Sequence, residues 1–105
     1  MQKSSKNNYK RGAHYERVAQ DELQAAGYFV MRAAGSHGPV DLVALKDGEL
    51  ARLIQIKSGD VKSEAKHLYT LACANLPREA WWELWQRDAG EWRQWRWEGR
   101  QWLRH

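Results

Sequence analysis

The stretch from Pro39 to Lys57 constrains this chain more than any other. Val40-Asp41 leads into the apolar run Leu42-Val43-Ala44-Leu45, Asp47-Gly48 interrupts it, and Leu50 to Lys57 supplies a second run rich in branched residues. Two short apolar runs around an Asp-Gly pair specify an antiparallel hairpin. Its open end carries an acid, Asp41, on one strand and an amide and an amine, Gln55 and Lys57, on the other.

Loop parity decides whether those side chains share a face, because a slip of one residue turns every side chain over. A two-residue loop at Asp47-Gly48 sets Asp41 opposite Ile54 and turns Gln55 and Lys57 away. A three-residue loop, Lys46-Asp47-Gly48 with Gly48 left-handed in a bulged turn, sets Asp41 opposite Leu53. Gln55 then lies diagonally from Asp41, roughly 7 to 8 Å away between backbones, within reach of one shared ion. The three-residue loop is the expectation.

Around this hairpin, Tyr15, Val18, Ala19, Leu23 and Ala26 recur at helical spacing, which predicts a helix from about Gly12 to Ala26 with Gly27 as its cap. Glu16 sits at the edge of that stripe, where it is either a solvated glutamate or a contributor to the hairpin site. Tyr28 to Ala33 reads as a first strand, and Ala34 to Pro39, with two glycines and a proline, as a loop. Ser36-His37 in that loop lacks a third orienting group for a hydrolytic triad. No Gly-Lys-Ser/Thr follows to make a phosphate loop of the Walker type.

Ser58-Gly59-Asp60 ends the third strand, and Ala65, Leu68, Tyr69, Leu71 and Ala72 give a second helix, from Val61 or Lys62 to Ala74, an apolar face. All seven tryptophans follow, at 81, 82, 85, 92, 95, 97 and 102, in two runs separated by Asp88-Ala89-Gly90. Alternation within the runs predicts a second hairpin with an aromatic layer, serving as core and subunit contact or, beside arginines, as a stacking surface for bases. The element order αβββαββ makes an α/β sandwich, with a mixed central sheet flanked by helices on both faces.

At 105 residues the chain fits one domain, 12–105, preceded by a basic arm, 1–11. Net charge is +4, and the first seventeen residues hold Lys3, Lys6, Lys10, Arg11 and Arg17 against Glu16 alone, a distribution suited to phosphates. One cysteine, Cys73, excludes an internal disulfide and a zinc cluster, and suits a reducing cytoplasm. No apolar run has the length of a membrane helix, and the polar N-terminus lacks a signal-peptide core. An aspartate beside another oxygen donor is the chemistry that holds Mg²⁺ or Mn²⁺ against a phosphodiester, with Lys57 as ammonium or base.

Several segments together carry a family likeness: Gly12-Ala13-x-x-Glu16-Arg17, Gly27-Tyr28-x-Val30-x-Arg32-x-Ala34-Gly35-Ser36, Val40-Asp41-Leu42-Val43-Ala44 and Ile54-x-x-Lys57. The first sixty residues resemble the archaeal-type Holliday junction resolvases of the PD-(D/E)xK nuclease superfamily. The resemblance implies a restriction-endonuclease-like core and an endodeoxyribonuclease that nicks four-way DNA junctions in pairs as a homodimer, without an organic cofactor. It implies Asp41, Gln55 and Glu16 at Mg²⁺ or Mn²⁺ and Lys57 in the reaction. Lys10, Arg11, Arg17 and Arg32 would lie at phosphates, and Ser36 over the site. Gln55 departs from the family pattern, which has glutamate there. The alternatives are a less selective nuclease of the same superfamily and a non-catalytic nucleic-acid module.

Overall fold

A computed structural model of the chain describes residues 2–33, 40–57, 79–98 and 101–105, with side chains from Ala13 onward. One helix, α1 (Gln2–Ala25), precedes six strands: β1 (Phe29–Arg32), β2 (Leu42–Leu45), β3 (Ala51–Lys57), β4 (Ala80–Asp88), β5 (Glu91–Trp97) and β6 (Trp102–Arg104). They form one sheet in sequence order, antiparallel throughout except for the parallel pair β3 and β4. The sheet is therefore mixed, as the element order predicts. The second helix expected from Val61 or Lys62 to Ala74 lies outside the described residues, as do Ser36 and its loop.

The helix starts ten residues earlier than its apolar stripe suggests, so the basic residues 2–11 continue α1 instead of preceding it. A solvated turn needs no apolar face to be helical, and periodicity is blind to it. Its end is as expected: Gly27 adopts φ 95°, Tyr28 N–H reaches back to Leu23 O at 3.0 Å and Gly27 N–H to Gln24 O at 3.0 Å. This paired closure satisfies carbonyls the helix would otherwise leave open.

Two apolar layers sandwich the sheet. On the α1 face, Ala19 and Leu23 pack on Val30, Leu42, Ala44, Ile54, Ile56 and Trp85. On the other, Trp82 and Leu84 gather Val40, Leu53, Trp95, Trp97 and Trp102. The tryptophans thus divide between both faces. Asp88 pairs with Glu91 across a two-residue turn whose Ala89 and Gly90 both have positive φ, 52° and 80°, the geometry that matches strand twist. The strand β6, pairing Trp102 with Trp97, is an addition to the expected five.

The first hairpin differs from expectation by two residues. Leu42 pairs with Ile54, Val43 with Leu53 and Ala44 with Arg52, so residues 46–50 form the connection. The turn is held from outside: Lys46 Nζ donates to Ala26 O at 2.9 Å, and Tyr28 OH bonds Glu49 Oε1 at 2.5 Å. Those contacts with the end of α1 widen the loop, while Gly48 keeps the expected left-handed conformation, φ 81°. A shift of two preserves parity, so the paired side chains of β2 and β3 stay on their predicted faces.

Candidate active site

Asp41 stands immediately before β2 and is fixed on both sides. Its N–H donates to Ile54 O at 2.8 Å, and its carbonyl accepts Ala33 N–H at 2.9 Å. Its carboxylate Oδ2 accepts Ile56 N–H at 2.8 Å, so the side chain extends the β2–β3 ladder by one bond after the backbone leaves it. Val43, not Asp41, is the partner of Leu53, and Asp41 leaves the regular ladder, because its N–H goes to Ile54, the residue that already pairs with Leu42. Strand alternation within β3 puts Gln55 and Lys57 on one face with Leu53, the face away from α1.

Gln55 is buried, 7% exposed, and among the described residues its Oε1 accepts no hydrogen bond. Leaving such an acceptor unpartnered costs about 1–3 kcal/mol, and the few that native proteins keep call for an explanation. A neutral amide oxygen beside a carboxylate is a donor set that fits a hard divalent cation. Lys57 ends β3 two residues on and is half-buried.

Glu16 arrives from the other side of the sheet, on α1. Its Oε1 lies 3.5 Å from Nη2 of Arg32, the register partner of Leu42. The pair thus hangs over the end of β1 and β2 where Asp41 begins. Among the described residues no group of three or more His, Cys, Asp or Glu gathers. Arg17 is exposed on the same helix, while the side chains of Lys10 and Arg11, like Ser36, lie outside the described set.

One charged cluster was not foreseen. Glu83, 2% exposed, accepts from Arg52 Nε and Nη2, each at 2.8 Å, from Arg96 Nη2 at 3.0 Å and from Trp85 Nε1 at 2.9 Å. Burial pushes its carboxyl up, but the hydrogen bonds and charge of Arg52, with Trp85 and Arg96, hold it below the ordinary 4.5. Arg52 is likewise pulled down by burial, yet Glu83 and Tyr28 raise it overall. Arg52 faces the Tyr28 and Trp85 rings, and Arg96 lies 4.2 Å from the centre of Trp81. A lone acid amid tryptophans was the available signal. A cavity of about 190 Å³ beside this cluster, lined by Glu22, Leu23, Arg52, Trp85, Trp92 and Gln94, contains none of the four predicted catalytic residues.

Residues 7–69 match the family model described as archaeal Holliday junction resolvase, more than half of the 105 residues. The chain belongs to the archaeal Holliday junction resolvase family. No curated protein matches the chain. Family membership brings nuclease chemistry in recombination and repair as the general class. The matched region of this resolvase-family chain holds Glu16, Asp41, Gln55 and Lys57 and stops before β4, so the tryptophan-rich strands lie beyond it. No described helix is long and apolar enough to cross a membrane.

Proposed function

We propose that the chain is a metal-dependent, structure-selective endodeoxyribonuclease that resolves four-way DNA junctions by paired symmetric nicks, acting as a homodimer. The observation that carries this reading is the buried, unpartnered amide oxygen of Gln55, next in the chain to Ile56, whose N–H holds the Asp41 carboxylate. Asp41 and Gln55 would hold Mg²⁺ or Mn²⁺, with Glu16 joining from α1. The cation, when bound, polarises the phosphodiester and makes water a better nucleophile.

The chain's own residues do the rest. The Asp41 side chain is oriented by Ile56 N–H, which holds it at the end of the ladder. Lys57 presents an ammonium to the attacked phosphate and offsets the charge that builds on its oxygens. Arg17 and Arg32, with Lys10 and Arg11 of the same helix, would engage neighbouring phosphates, and Ser36 would serve the same DNA. Two sites related by a two-fold axis suit a junction that is itself nearly two-fold symmetric.

Incubation with a synthetic four-way junction and Mg²⁺ or Mn²⁺ tests the reading. Paired nicks in opposing strands, abolished by chelator, are expected. Equal cutting of linear duplex would instead favour a less selective nuclease of the same superfamily. A second reading, a non-catalytic junction binder, is favoured by one feature: the neutral Gln55 removes a charge from the site. Tight binding without turnover at any metal concentration would establish it.

A further inference from the structure

The sheet face away from α1 changes character towards one end. Along β3 it passes from Leu53 to Gln55 and Lys57, along β4 from Trp82 and Leu84 to Gln86, and along β5 from Trp95 back to Arg93. The apolar part is the second core cluster. The polar end is a single row across three strands, because Lys57 pairs with Gln86 and Gln86 pairs with Arg93. Register partners on neighbouring strands point their side chains to the same face, so the three project together.

The parallel pairing of β3 and β4 creates this row, since it brings the turn after Asp88 to the end of the sheet where Lys57 closes β3. Asp41 enters β2 at that end as well, and ligands of sheets with parallel strands gather outside the carboxyl ends of those strands. Adjacent strands lie about 4.8 Å apart, so the Arg93 backbone is roughly 10 Å from that of Lys57, the axial rise of about three nucleotides in one DNA strand. The Arg93 side chain is 50% exposed, with its Nη2 3.0 Å from Oδ2 of Asp88, itself 49% exposed. Asp88 and Glu91, paired across the turn, bound the row on its outer side. An exposed ion pair of this kind contributes little and exchanges readily, whereas a phosphate can take a guanidinium through two parallel hydrogen bonds.

We propose that Arg93 carries the DNA-binding surface from Lys57 across the sheet onto β5, where it takes a backbone phosphate about three nucleotides from the one at which Lys57 acts. The proposal rests on the reading of Lys57 as the group that faces the attacked phosphate. It gives a strand beyond the family match, which ends at residue 69, a share in placing the DNA.

Binding of a synthetic four-way junction to the full chain, measured in EDTA by fluorescence anisotropy at several KCl concentrations, tests it. Arg93→Gln should weaken binding about three- to tenfold and lower the slope of log affinity against log salt by about 0.9, the loss of one phosphate contact, while Arg93→Lys should keep the slope. Lys46→Gln removes the same charge from the connection at the other end of the hairpin and should leave the slope at its wild-type value. Asp88→Asn frees the guanidinium and should tighten binding. Equal weakening by Asp88→Asn and Arg93→Gln would mean that the pair only braces the turn, and overturns the proposal. So does an unchanged slope in Arg93→Gln, or an equal change in Lys46→Gln, which reads bulk charge. Neutral methylphosphonates placed singly along the cleaved strand locate the contact: wild type should lose affinity about three nucleotides from the cut, and Arg93→Gln should not. Wild type that binds the junction but makes no cut with Mg²⁺ or Mn²⁺ rejects the active-site reading. The salt slopes in EDTA still decide the role of Arg93 in that case, so the two failures are told apart.

Discussion

Asp41 and Ile56 are joined by a side-chain to backbone hydrogen bond of 2.8 Å that continues the β2–β3 ladder past the last backbone pair. This bond separates the two roles of Asp41. Asp41→Asn keeps an acceptor for Ile56 N–H and so should keep the fold, but it removes the charge a cation needs. Junction cleavage should fall at least ~100-fold, the scale of losing a charge-organising group. Junction affinity in EDTA should change little in a gel-shift assay. Asp41→Ala should lose about 1 kcal/mol of stability as well.

Gln55→Glu puts a carboxylate where the amide now sits buried and unpartnered. Without metal that charge is desolvated, so thermal unfolding should come at lower temperature than in wild type. With Mn²⁺ the order should reverse, because a second charge binds the ion more tightly and stabilises by mass action. Cutting should also reach its plateau at lower metal concentration. Metal-dependent melts that shift equally in both proteins would argue against Gln55 as a ligand.

Lys57 distinguishes charge from proton transfer. Arginine stays charged and cannot serve as a base. If Lys57 stabilises charge on the phosphate, Lys57→Arg should retain measurable cleavage while Lys57→Ala loses about 100-fold or more, with Mn²⁺ binding kept in both. Single-turnover cleavage rates with calorimetric metal titrations make the comparison.

Glu83 should dominate stability. Glu83→Ala strands Arg52 and Arg96, whose side chains are 14% and 21% exposed, without their counter-ion, and should cost roughly 3–5 kcal/mol. The pH dependence follows from a carboxyl held below its unfolded value. Its contribution is fully present above about pH 4.5, where the unfolded carboxyl is also ionised, and is lost as pH falls through the lower folded value. Acid titration followed by tryptophan fluorescence should show this transition in wild type and its absence in Glu83→Gln.

Much of this was legible because it is local. The Asp-Gly turn, the cap at Gly27, the Asp88 turn and the alternation that keeps Gln55 and Lys57 on one face depend on residues close in sequence. The start of α1 was not legible, because residues 2–11 carry no apolar repeat to reveal it. Nor was the exact pairing of the first hairpin, since Lys46 and Glu49 are engaged by Ala26 and Tyr28, twenty and twenty-one residues away in the chain.

The sequence by itself determined the parity of the hairpin and the identity of the groups at its open end, because side chains alternate along a strand whatever the rest of the chain does. Tertiary structure alone decided that Asp41 is held at Ile54 and Ile56, that Glu16 is met by Arg32, and that Glu83 collects two arginines. Each of those contacts needs α1 docked on the sheet, a loop widened from outside, or β3 and β4 laid parallel, and such long-range packing leaves no periodic trace in the chain.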